Sequence, residues 1–288
     1  DDVESRGLGD VYKRQFHNHM RIPWHDYTRK SLGHPITEAS LSEKASIIGR
    51  TGIMLLSCGT GAWRVRSSMN TLARELGITC TADIGLLSIE YTCIAGGDCY
   101  TESLCLFNTG VNTSKLYRME LFVNKFATNC KKMSGDELHT LLDQIHEIHG
   151  FYSPPFLGLA AAVACCAFTF LLGGGPIEMF CAFLGAGAGN YLRAKMNQHH
   201  LTLFLCTAAS VALACVVYTI SFMALKSGFD VSIHHQAGYI CSMLFIIPGF
   251  PFITSGIDLA KLDMRSGLER LTYAIIIIAV ATLTCLLY

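Results

Sequence analysis

The chain contains no Gly-x-x-x-x-Gly-Lys-Ser/Thr loop in its 288 residues, which argues against a self-contained ATP-driven machine. It has no surplus of either charge. Lys and Arg number 22 and Asp and Glu 22, so the formal net charge is zero and no basic stripe is left to neutralise phosphates. A nucleic-acid partner is therefore not expected. Charge is also sparse, at 15% of residues, and it is concentrated before position 150. The 13 cysteines lack the close pairing of zinc or redox motifs. Even Cys93 and Cys99 in "CIAGGDC" have neither spacing. Seven cysteines, among them Cys165, Cys181 and Cys241, sit inside apolar runs, where the residue acts as a small hydrophobe. Reduced packing cysteines are expected, with no metal and no cofactor. "GTGAWRVRSSM" has no Ser or His context suited to a hydrolase nucleophile.

What is present divides the chain. Residues 1–15 read as a translated sequencing adapter and are set aside. Residues 16–40 form a His-rich, Pro-broken leader, in which "FHNHM" is a weak metal signal. From Leu41 an apolar helical face runs to Gly59, and a second helix from about Ala62 stops at Gly77. The period then becomes two. Ile78, Cys80, Ala82 and Ile84 alternate with polar residues, as do Leu87, Ile89, Tyr91 and Cys93. "GGD" at Gly96–Asp98 signals a hairpin into a third strand. Two helices follow, over about Ser114–Lys132 and from Ser134, whose spacing to Glu137 is that of a capping box. His139, His146 and His149 fall near one face of the second. Residues 41–150 thus predict a small cytosolic α+β domain.

Residues 151–288 predict a transmembrane domain. Five runs approach membrane length, at about 156–172, 177–192, 201–225, 238–257 and 268–288. So many apolar runs in one block, with so few charges, do not fit the buried helices of a large soluble protein. Arg193, Lys195, Lys261, Arg265 and Arg270 fall in the loops after the second and fourth runs, whereas the loops after the first and third carry only Lys226. The positive-inside rule then places the first domain in the cytoplasm and the C-terminus outside. Glu178 is expected near the outer surface, solvated.

The fourth run is interrupted by "IPGFP", with Pro248 and Pro251 flanking Gly249 and Phe250. Each proline removes an N–H, leaving the carbonyls of Leu244 and Ile247 without helical partners, so this backbone should face protein or a water-filled cavity. Pro251 suits the first position of a new half-helix, with the N–H groups of Phe252, Ile253 and Thr254 open to a carboxylate. Broken helices at mid-membrane are a recurrent device of secondary transporters; the plainer alternative is a packing kink. Candidate binding or gating residues are Pro248, Gly249, Pro251, Thr254, Ser255, Asp258 and Asn190. Asp258 reads as a proton relay, an amine partner or an interfacial carboxylate paired with Lys261. Asn190, beside the Gly185-x-x-x-Gly189 spacing, reads as interhelical glue or a site residue.

"SCGTGAWRVRSSMNTLARELGI" (Ser57–Ile78) and "FIIPGFPFITSGIDLAKLDMRSGLERLTYA" (Phe245–Ala274) resemble the threonine/serine exporter family of bacterial inner-membrane proteins. Pro248, Gly249, Asp258, Ser266, Gly267 and Arg270 carry the most specific part of the likeness. At Arg66 the chain departs from it, since many members have an acidic residue there. The resemblance implies ion-gradient-driven export of threonine, serine or related small carboxylates, with proton coupling expected. It also implies a homo-oligomer or a second small membrane subunit, because one branch is linked to two-component dicarboxylate export. A membrane-anchored enzyme acting through the cytosolic domain, or a non-transporting subunit, is the alternative.

Overall fold

A computed structural model of the chain describes residues 22–28, 33–148, 152–199, 201–226 and 236–287. The adapter-like residues 1–15, the "FHNHM" stretch and His149 lie outside the described residues. The chain forms two units. One falls within Asp1–Gly150 and takes in Ile257–Glu269, and the other falls within Phe151–Gly256 and Arg270–Tyr288.

In the first unit, α1 (Leu41–Ser57) opens at Ser40, whose hydroxyl accepts the Glu43 N–H at 3.4 Å. α2 (Ala62–Glu75) ends at Gly77, whose φ of 71° closes the last turn. The sheet is β1 (Thr79–Ile84), β2 (Ser88–Ala95) and β3 (Asp98–Cys105), antiparallel in that order. Gly96 and Gly97 turn β2 into β3 with φ of 60° and 95°. Both are left-handed, as a two-residue hairpin turn requires. α3 (Thr113–Lys125) runs into a π-turn, and α4 (Gly135–His146) starts from the expected capping box of Ser134 and Glu137.

The core lies where α1 crosses the sheet. Nearly all of α1 is buried, and Ile89, Tyr91 and Cys93 of β2 point into it. Gly49 lets the two approach, because a Cβ there would run into the Tyr91 ring and hydroxyl. The Tyr91 hydroxyl donates to Glu102 at 2.7 Å, which gives this buried polar atom a partner.

The second unit contains α5 (Pro154–Leu171), α6 (Pro176–Gln198), α7 (Leu203–Lys226), α8 (Gln236–Cys241), most of α9 (Gly249–Ala260) and most of α10 (Met264–Leu287). Among the described residues, α5, α7 and α10 are long and apolar enough to cross a membrane. The segments Gln236–Ile246 and Gly249–Ala260 pass together as one bent pair. The expected second span corresponds to α6, which has the length, 23 residues, but not the apolarity. The reason is its position between neighbours. A Cβ on Gly185 or Gly189 would come within 2.9 Å of the Ala214 carbonyl or 2.8 Å of the Ser210 carbonyl on α7. On another side, Gly158 of α5 approaches the Gly187 carbonyl within 3.0 Å by the same measure. Small residues bring these backbones close, and such a helix has little need of large apolar side chains. Glu178 differs from expectation. It is 8% exposed, and its carboxylate accepts the Gly238 N–H of α8 at 3.2 Å.

Two histidines in the first unit have opposite charge states dictated by their partners. The His25 nitrogens face Asp136 at 2.6 Å and Asp143 at 2.8 Å, so each must carry a proton. The hydrogen bonds to Asp136 and then Asp143 raise its pKa above the ordinary 6.5. Asp136 is held below its ordinary value chiefly by the same bond; at Asp143 burial opposes the shift, but His25 and Arg50 outweigh it. His139 is fully buried, with Nδ1 at 3.2 Å from the Arg50 guanidinium and Nε2 at 3.1 Å from the Ser46 hydroxyl. Arg50 can only donate, so Nδ1 accepts and the ring is neutral. Burial and the Arg50 charge push its pKa down to about 3. Among the described residues, the two histidines of α4 part ways: His139 points inward, while His146 meets Lys115 at 3.3 Å.

The signs of these shifts define a pH optimum. His139 stays neutral when folded but protonates when unfolded, so stability falls as pH drops below 6.5 towards 3. The contribution of His25 is complete below 6.5 and is lost as pH rises through its raised folded value. Asp136 and Asp143 stabilise above their ordinary 3.8 and lose that contribution on acidification below it. Thermal unfolding followed by Trp24 fluorescence in a Trp63→Phe background should show greatest stability near pH 6.5. His25→Gln should flatten the alkaline side and also lessen the loss below 3.8, since Asp136 and Asp143 lose the same partner. A stability that keeps rising to pH 8 would contradict these assignments.

Candidate functional site

The break expected at "IPGFP" is present. A 3-10 turn over Leu244–Ile246 precedes it, α9 follows it, and the two halves meet at 66°. Its backbone does not carry the orphans anticipated from the prolines. The Leu244 carbonyl accepts the Ile247 N–H at 3.2 Å, and the Ile247 carbonyl accepts the Gly249 N–H at 2.8 Å, closing a tight turn around Pro248. The Phe245 carbonyl accepts from the Arg193 guanidinium of α6 at 3.2 Å. The charge of Arg193, close to the end of an apolar run, predicts a loop position. The helix instead extends to Gln198 and turns Arg193 onto the break.

The new helix also begins earlier than expected, at Gly249 and not at Pro251. The Phe252 N–H is taken by the Pro248 carbonyl at 3.2 Å and is not open to a ligand. The Thr254 hydroxyl donates back to the Phe250 and Pro251 carbonyls at 3.0 and 3.1 Å, and Ser255 is 1% exposed. The Asn190 amide donates to the Leu157 carbonyl of α5 at 2.8 Å, in the interhelical role. Pro248, Gly249, Pro251 and Thr254 therefore build the break, and Arg193 is the charged group that joins them.

Asp258 belongs with the first unit. The expected pairing with Lys261 is replaced by a cap. The Asp258 carboxylate accepts the Ala62 N–H at 3.2 Å and the Ser266 hydroxyl at 2.9 Å. The N-cap of α2 is Gly61, which has no side chain to satisfy that end. An aspartate 196 positions away in sequence supplies the acceptor and the negative charge that a helix N-terminus favours. Lys261 turns instead over the Trp63 ring, with its ammonium 3.9 Å from the centroid.

The rest of Ile257–Glu269 continues this attachment. Arg66 of α2 pairs with Asp263, and Arg265 pairs with Asp83 of β1. Glu269 accepts the Leu86 N–H at 2.6 Å. The charge of Arg66 is matched here by Asp263. Sequence periodicity could not find this set, since its members lie about 180 to 200 positions apart. The runs of opposite charge, Arg66 against Asp263 and Asp83 against Arg265, were the only available signal.

A family model described as "Putative threonine/serine exporter" matches residues 46–287. The chain belongs to that family. It is 26% identical over 222 residues to "Probable succinate transporter subunit YjjP" of Escherichia coli (strain K12), covering 76% of this chain and 83% of that protein. It is 24% identical over 222 residues to the protein of the same description from Klebsiella aerogenes, covering 76% of this chain and 82% of the relative. No solved structure matches. Both the break and the Asp258 cap lie within the part matched by the exporter family.

The turn joining α9 to α10 in this exporter is strained. Asp263 N–H bonds to the Asp258 carbonyl at 2.9 Å and Leu262 N–H to the Leu259 carbonyl at 3.0 Å, a Schellman ending. Its left-handed position, ordinarily glycine, is Leu262, with φ of 63° and 81% exposure. Leu262→Gly should raise stability by about 1 kcal/mol, because it relieves a left-handed β-carbon while exposing little new surface. A lowered melting temperature for that variant would show that Leu262 is held by something other than this turn.

Proposed function

We propose that this chain is one subunit of a secondary exporter that moves small carboxylate-bearing solutes, dicarboxylates foremost, across the bacterial inner membrane. The observation that carries the reading is the bent pair, Gln236–Ile246 with Gly249–Ala260, whose break holds the Arg193 guanidinium on its backbone. A cation beside interrupted backbone within an apolar block is a costly arrangement, and such groups mark solute pathways. Family membership supports export, and the relatives described as succinate transporter subunits support both the dicarboxylate class and a partner subunit. In this reading α6 is a fifth span among the four apolar ones, shielded from lipid by α5 and α7. Drive comes from an ion gradient, protons foremost, with no bound cofactor.

The chain is expected to work with a second copy or a small membrane partner. The test is counterflow of labelled succinate, threonine and serine in proteoliposomes, with the chain alone and with the proteins that co-purify from its native membrane. Succinate exchange should exceed that of the hydroxy amino acids. Arg193→Gln should reduce it about tenfold, the loss of one charge-assisted hydrogen bond, and Arg193→Lys should restore part. Parental rates in Arg193→Gln would reduce that residue to a backbone prop and remove the central support for the reading.

The same reading places the first unit in the cytoplasm and the C-terminus outside. In a background without reactive cysteines, Leu262→Cys should react with an impermeant thiol reagent only after the cells are permeabilised. Labelling in intact cells would invert the topology.

A further inference from the structure

One face of α2 carries chemistry that neither the break nor the Asp258 cap uses. Trp63, Arg66, Ser67, Asn70 and Arg74 recur at helical spacing on that face, and with Lys261 and Asp263 they line an open recess of about 460 Å³. That volume lies within the range of small-molecule sites. All of these residues belong to the first unit.

The charges do not balance. Arg66, Arg74 and Lys261 contribute three positive charges, and Asp263 contributes the single negative one, already paired with Arg66. Among the described residues Arg74 makes no salt bridge, and the Lys261 ammonium rests on the Trp63 ring instead of a carboxylate. The side chains of Ser67 and Asn70 make no hydrogen bond among the described residues either, so a hydroxyl and an amide stand beside the unmatched cations. An excess of two positive charges, one on a planar guanidinium suited to bidentate contact, fits an anion with two carboxylates.

We propose that this recess binds a small dicarboxylate, separately from the break in the second unit. Arg74 grips one carboxylate, Lys261 the other, and Asn70 and Ser67 fill the remaining acceptor positions. Lys261 lies in the short link between α9 and α10, so occupancy acts on the segment that joins these two helices. The assignment of solute class rests on the dicarboxylate-exporter reading; the charge excess does not.

The chain has two tryptophans, so Trp24→Phe leaves Trp63, inside the recess, as the sole reporter. The full chain in zwitterionic-lipid nanodiscs is titrated with succinate while Trp63 emission is followed. A saturable change is expected as the carboxylate draws Lys261 off the ring. Arg74→Gln should weaken binding about tenfold with an unchanged melting temperature, since its side chain holds no salt bridge in the fold. Asn70→Ala should weaken it less, and acetate should give no saturable change. Three results would overturn the proposal: no Trp63 response to succinate, a response unaltered in both variants, or equal displacement by inorganic phosphate. A Trp63 change caused by anionic lipid alone would assign the recess to a headgroup and overturn it as well. Succinate counterflow by the same purified protein in proteoliposomes separates the two readings. Intact counterflow with a silent Trp63 rejects the recess alone, and absent counterflow with Arg74-dependent binding rejects the exporter reading alone.

Discussion

A backbone polar group removed from water must find a partner, and the functional architecture of this chain follows from that constraint. Two prolines interrupt an apolar helix and would leave carbonyls exposed in surroundings with no water. The chain answers locally where it can, with the Ile247 and Gly249 N–H groups closing short turns. Where local geometry fails, at Phe245, a guanidinium from α6 is brought in. The break is thereby made tolerable and charged in the same step.

The same constraint operates at α2. Its N-terminal residue is capped by Gly61, which offers only backbone. Asp258 fills the gap and, through Ser266, also holds the start of α10. Around that cap the ion pairs Arg66–Asp263 and Arg265–Asp83 join Ile257–Glu269 to the helix and sheet. The Arg265–Asp83 pair is exposed and contributes little individually, whereas Asp263 is buried against Arg66. Their value here is positional, because they orient a buried cap that a single misplaced turn would lose. A residue in left-handed conformation, Leu262, makes the turn possible at some cost.

Within α6, glycine performs two different tasks. Gly185 and Gly189 admit the backbone of α7, and Gly187 meets α5. The close packing removes the need for long apolar side chains, which is why this helix is less apolar than its neighbours. Asn190 then spends its amide on the Leu157 carbonyl, binding the same helix pair more firmly.

Local signals in the sequence were enough for the element order of the first unit: the Ser134–Glu137 capping box, Gly77 as a helix stop, the Gly96–Gly97 turn and the period-two burial of Ile89, Tyr91 and Cys93. Each depends on residues within a few positions of one another, so local pattern carries the information. The position of the break was legible for the same reason, since proline acts on its own neighbours. Its hydrogen bonding was not. The Ile247 and Gly249 turns depend on the path the chain takes after Pro248, and the Arg193 contact depends on how α6 lies against it. The role of Asp258 was out of reach as well: within its own stretch, Lys261 is the nearest opposite charge, whereas the partner it meets, the Ala62 N–H, is 196 positions away. Tertiary structure decided which charges meet, because Coulomb attraction and hydrogen bonding depend on distance through space and are indifferent to separation along the chain.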